Sequence, residues 1–282
     1  MTSDLCYSFQ KIASWVWEKI ELSEKSGLAF SEETITETVL LDLATSHPAK
    51  VKIKAFTKKA EGVNGSDWEW WIGKAGRWLG MRVQAKKIKL PSETFAPLQK
   101  YGVKKGSKIG QIDKLLSHAK ADQLNPAYCL YFVSKKLPTL RAWPAYYIVG
   151  GGPVSPQGCL IADATAVKAV GKDSLAALAP VCVPWHLLVC HCAGGKFNSG
   201  SPADAGGAML RTSRQLAASL LKVDDLGDAP EFPPRSELPS HINYLREGSD
   251  GLVGLKDANP LRTYAKERGL KGFVLIDTSE RA

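Results

Sequence analysis

The residues of this chain best suited to chemistry are two acids on one side of a short turn and an amide–lysine pair on the other. Asp67 and Glu69 stand in Gly65-Ser66-Asp67-Trp68-Glu69-Trp70-Trp71; Gln84 and Lys86 stand in Met81-Arg82-Val83-Gln84-Ala85-Lys86-Lys87. The glycine-rich stretch 73–80 between them makes the whole a predicted β-hairpin. Strand side chains alternate, so Asp67, Glu69 and Trp71 share a face. Arg82, Gln84 and Lys86 likewise share one, while Val83 and Ala85 turn away. Two carboxylates, a carbonyl oxygen and an ammonium facing one cleft suit a divalent cation and a phosphate. Magnesium needs oxygen ligands and is content with one or two carboxylates plus waters. Bound there, it polarises a phosphate and lowers the pKa of an attacking water. The lysine orients that water or neutralises charge developing on the phosphoryl oxygens.

The elements that must hold these residues are legible from capping and periodicity. Residues 3–22 repeat apolar side chains at helical spacing. A second helix starts at Ser31, whose hydroxyl suits an N-cap, with Glu32 and Glu33 at the positive end of the dipole. Its apolar face is Ile35, Val39 and Leu43, and Glu37, bracketed by leucines, is expected to be partly buried. Lys50 to Thr57 alternates lysine with apolar residues, as a half-buried strand does. Ser92 to Lys100 reads as a short helix, Ile109 to Ala121 as a longer one, and Ala127 to Val133 as a central strand. From Ser31 to Val133, setting the Ser92 segment aside, the order is helix, three strands, helix, strand: an α/β fold with a mixed sheet and flanking helices. Further on, Asp163–Val170, Ser174–Leu178, Met209–Leu221 and Leu261–Arg268 read as helices and Gly272–Asp277 as a strand. Residues 192–207 read as a loop and 224–239 as a linker or wrapping arm.

The Asp67…Gln84-x-Lys86 set on such a hairpin resembles the active site of the PD-(D/E)xK nuclease superfamily. Its Gln-x-Lys form is similar to that of Mrr-type restriction nucleases and of bacterial antiviral effector nucleases. The resemblance spans somewhat under half the chain. It implies a restriction-endonuclease-like core at 28–150, preceded by a helix at 1–27 and followed by an extension at 151–282 packed on the core. It implies Mg2+ or Mn2+ held by Asp67, Gln84 and Glu37, with Lys86, Glu33 and Glu69 completing the catalytic set. The implied substrate is DNA, with RNA left open, and the implied setting is antiviral defence. The departure is Gln84 where an acid is usual, which removes one negative charge; Glu69, Glu37 or Glu33 must supply it. If none does, the chain is a nucleic-acid-binding protein on a degenerate nuclease fold.

The formal charge of +9 fits a polyanionic partner. Lys87, Lys104, Lys105, Lys108, Gln111 and Trp71 are the candidates to touch it, Trp71 because it shares the Asp67 face. Trp68 and Trp70 face the other way and belong in the core. No apolar run reaches the roughly 18 residues of a membrane span, and the N-terminal residues lack the layout of a secretory signal. A cytoplasmic protein without disulfides is therefore expected, with a homo-oligomer compatible. Cys190-His191-Cys192 lacks the second ligand pair of a zinc site and reads as buried cysteines. There is no Gly-x-Ser-x-Gly elbow and no phosphate loop.

Overall fold

The computed structural model describes residues 4–56, 68–95, 98, 110–134, 158–190, 201–227, 231–247 and 260–279. Helix α1 (Asp4–Ser26) is followed by α2 (Glu32–Ser46), β1 (Val51–Ala55), β2 (Trp68–Lys74), β3 (Arg77–Lys87), α3 (Gln111–Ala121) and β4 (Asn125–Tyr131). The helix–strand–strand–strand–helix–strand order expected over this stretch is thus present. Then come β5 (Cys159–Asp163), α4 (Ala164–Val170), α5 (Leu175–Leu178), β6 (Val183–Pro184), α6 (Pro202–Leu221), α7 (Ser240–Glu247), α8 (Pro260–Arg268) and β7 (Gly272–Asp277).

The strands form one mixed seven-stranded sheet in the order β1-β7-β2-β3-β4-β5-β6. β2 and β3 are an antiparallel hairpin closed by Ala75-Gly76, where Gly76 at φ +81° takes a conformation that costs glycine little. β3 runs parallel to β4, and β7 lies between β1 and β2, antiparallel to the first and parallel to the second. The C-terminal part is therefore not an appendage on a core ending at 150: its last strand is interior to the sheet.

One face of the sheet carries Ile53, Ile72, Met81, Val83 and Ile276 into the main core with Val39 and Leu43 of α2 and Met209 of α6. Trp68 and Trp70 lie in this core, as expected. The other face carries Trp71, Phe273 and Leu275 into a second core with Ile242 of α7 and Leu261 and Ala265 of α8. Gly80, opposite Trp71, leaves room for the indole; a Cβ there would lie 2.8 Å from the ring. Ser31 caps α2 as expected, accepting from the Thr34 amide at 3.0 Å.

Several local expectations fail for physical reasons. β1 is not half-buried: α7 also covers its second face, and Lys52 and Lys54 are enclosed there. Residues 92–94 form a turn and a bridge to Ser174 rather than a helix start. α6 begins at Pro202, inside the stretch read as a loop, because Ser201 caps it and proline is tolerated in a first turn.

A disulfide joins Cys6 of α1 to Cys190, 184 residues away in sequence. Linear spacing gives no sign of such a pair. It forms where α1 packs on 185–190, with the Phe9 and Trp185 rings 4.6 Å apart and Trp185 Nε1 donating to Phe9 O. Reducing this bond is expected to lower stability by about 2–4 kcal/mol, since it frees a long loop in the unfolded chain. Urea denaturation with and without dithiothreitol, and of Cys6→Ser, checks it.

Asp163 caps α4 through Oδ1, which accepts from the Thr165 and Ala166 amides. Burial, opposed by Arg214 and these amides, pushes its pKa up to about 6. The folded chain therefore binds this proton more tightly than the unfolded one, and stability falls as pH rises from about 4 to about 6. Asparagine caps as well as aspartate. Asp163→Asn is accordingly expected to be stabilising by roughly 1–3 kcal/mol at pH 7.5 and without benefit near pH 4. Thermal melts at the two pH values read this directly.

Candidate functional site

The hairpin register sets Trp68 opposite Val83 and Glu69 opposite Arg82. Asp67 precedes Trp68 in sequence and lies outside the described residues, as do Lys104, Lys105 and Lys108. Gln84 and Lys86 lie on β3, on the same face as Arg82, and are 0% and 5% exposed. Neither Nε2 nor Oε1 of Gln84 has a hydrogen-bond partner among the described residues. A buried amide left unpaired on both ends is costly, about 1–3 kcal/mol per group, and native interiors rarely contain one.

The first turn of α2 reaches the end of the sheet where this amide sits. Glu32 Oε2 accepts from the Lys87 amide at 3.2 Å, and its Oε1 is 3.9 Å from Lys86 Nζ. Glu33 Oε1 is 3.3 Å from Lys271 Nζ, next to Gly272, which pairs with Trp68. The helix thus brings one carboxylate to Lys86 at the end of β3 and another to Lys271 just ahead of β7. Glu37, one turn further along, is exposed rather than partly buried: the turn of the helix that buries Thr36 and Leu40 leaves it outward. Glu32, read from sequence only as a dipole partner, is the glutamate that meets Lys86; nothing in the local sequence separates it from Glu33.

Glu69 has a different place from the one expected. It is fully buried, its Oε1 accepting from Trp71 Nε1 at 2.8 Å and lying 2.8 Å from His241 Nε2. Its Oε2 faces Arg82 Nη2 at 3.5 Å, and the same Nη2 donates to Asp122 Oδ2 at the end of α3. Asp122 is also held by Arg268 Nε at 3.1 Å, and His241 stacks on Tyr264 of α8 at 3.8 Å. This network fastens α3, α7 and α8 to the hairpin. A carboxylate so engaged is not open to a metal.

Trp71, expected to line a groove, is 1% exposed in the second core, because α7 and α8 cover that face. Gln111 is the first residue of α3, half-buried, with a buried Oε1 that has no hydrogen-bond partner among the described residues. Lys87 ends β3, half-buried. His118, on α3, has a pKa below the ordinary imidazole range, first from burial and then from the Arg82 charge.

Among the described residues no helix is long and apolar enough to cross a membrane. No curated protein and no solved structure matches this chain. The hairpin half and the C-terminal half are matched together, as the shared sheet joins them: a family model described as a family of unknown function (DUF6615) covers residues 5–282, and the chain belongs to that family.

Proposed function

We propose that this chain is a metal-dependent nuclease that hydrolyses phosphodiester bonds, of DNA first, at Asp67, Gln84 and Lys86, on a restriction-endonuclease-like core. The observation that carries the reading is the Gln84 amide, enclosed and without a hydrogen-bond partner at either end among the described residues, two residues before a lysine whose ammonium lies 3.9 Å from the helix carboxylate Glu32. The donor set fits a hard divalent cation: Gln84 Oε1 needs a partner, and carboxylate and carbonyl oxygens are what Mg2+ or Mn2+ takes. Asp67 and Gln84 would hold it, and when bound it supplies polarisation of the phosphate and an acidified water. Lys86 neutralises charge on the phosphoryl oxygens, and Glu32 holds that ammonium at the end of β3.

One observation favours a second reading, a nucleic-acid binder without activity. Glu69 is committed to Arg82, His241 and Trp71 and does not restore the charge that Gln84 lacks. Incubating the purified chain with plasmid DNA and with RNA in Mg2+, Mn2+ or EDTA separates the two. Cleavage in metal that stops in EDTA is expected. Tight, salt-sensitive binding without cleavage under any divalent metal is the result that sinks the nuclease reading.

A further inference from the structure

Arg82 and Gln84 follow one another on the same face of β3, and both have hydrogen-bonding capacity left over. Arg82 is 0% exposed. Its Nη2 serves Asp122 and Glu69, but its Nε and Nη1 meet no acceptor among the described residues. A guanidinium cannot shed its proton to escape that cost. Beside it, two residues and about 7 Å along the strand, the Gln84 amide has a donor that meets no acceptor among the described residues.

We propose that Arg82 and the Gln84 Nε2 form a binding site for an oxyanion, with phosphate as the representative ligand. Arg82 presents donors and a fixed charge; Gln84 adds a neutral donor and keeps its Oε1 for the cation. The identity of residue 84 matters for the anion as much as for the metal. A carboxylate there, on the same face as Arg82, would compete for Nε and Nη1, the donors that Asp122 and Glu69 leave unused. The amide adds no such competitor. What the site loses toward a metal by carrying glutamine it gains toward an oxyanion. The neighbouring acids do not fill the gap: Asp122 and Glu69 both meet Arg82 at Nη2. Taking the oxyanion to be a substrate phosphate rests on the nuclease reading; the oxyanion site itself rests on Arg82 and Gln84.

The test is calorimetric titration of inorganic phosphate into the full chain in EDTA, so that neither metal nor cleavage enters the readout. Wild type is expected to bind. Arg82→Lys keeps a cation for Asp122 and Glu69 but lacks Nε and Nη1, and Gln84→Glu is nearly isosteric; each is expected to weaken binding about ten- to hundredfold, the scale of lost charged hydrogen bonds. Binding of a 5′-phosphorylated oligonucleotide but not its 5′-hydroxyl twin supports the site with a terminal phosphate as occupant. Equal, Arg82-dependent binding of both supports it with an internal phosphate. No binding of millimolar phosphate by wild type, the result if these atoms meet only buried water, overturns the inference, as does wild-type affinity in a folded Gln84→Glu. Cleavage without metal-free phosphate binding overturns this inference alone; Arg82-dependent binding without cleavage overturns the nuclease reading alone.

Discussion

Lys86→Met is expected to lower metal-dependent DNA cleavage by on the order of a thousandfold, the scale of removing a charge-stabilising group from a transition state, with little loss of DNA affinity. Methionine keeps the apolar stem packed where Lys86 is 5% exposed and removes only the ammonium. Glu32 then loses the Lys86 ammonium but keeps the Lys87 amide, so the end of α2 stays docked. Ground-state binding draws on many cations, whereas charge arising during phosphoryl transfer is met by the group nearest the reacting oxygens. Single-turnover cleavage of labelled DNA, set beside a binding isotherm in Ca2+, separates the two. Equal loss in both assays contradicts a transition-state role.

Glu69→Ala carries the largest expected effect on stability, a loss of about 3–5 kcal/mol, because it leaves a buried Arg82 with one carboxylate fewer. Trp71 Nε1 and His241 Nε2 lose their shared acceptor at the same time. The damage is not confined to the hairpin. His241 belongs to α7, and Arg82 shares Asp122 with Arg268 of α8, so the C-terminal helices loosen with it. The double variant Glu69→Leu/Arg82→Met is expected to recover much of the loss, since apolar replacement of a whole buried pair is often neutral or better. Urea unfolding of the wild type, Glu69→Leu, Arg82→Met and the double variant gives the coupling. A double variant no better than either single one contradicts the pairing.

Much of the fold was legible because it follows from local rules. The Ser31 cap, the apolar period of α2, the continuous apolar run of β4 and the Gly272–Asp277 strand each state their element in a few residues. What was not legible depends on contacts far apart in sequence. No local pattern places β7 between β1 and β2, and the alternation of Lys50 to Thr57 says nothing of α7 arriving to bury Lys52 and Lys54. Cys6 and Cys190 read as unrelated for the same reason.

The site divides in the same way. Period two sets Arg82, Gln84 and Lys86 on one face of β3, all three buried. The same rule put Glu69 and Trp71 on the face of Asp67, but parity does not say what packs against a face. There α7 and α8 supply His241, Tyr264 and a second core, so that Glu69, expected to complete the catalytic set, and Trp71, expected to line a groove, are interior residues. The glutamate that meets Lys86 is Glu32, beside the expected Glu33 in the first turn of α2, because that turn and not the one carrying Glu37 reaches the end of β3.

Asp67 is the carboxylate that the proposed nuclease would place on its metal together with Gln84. The deciding measurement is the rate of DNA cleavage in Mg2+ by wild type and by Asp67→Asn, each shown to be folded by its thermal melt. The predicted result is cleavage by wild type that stops in EDTA and is absent from Asp67→Asn. Cleavage that survives in Asp67→Asn, or a wild type that cuts neither DNA nor RNA with any divalent metal, contradicts it.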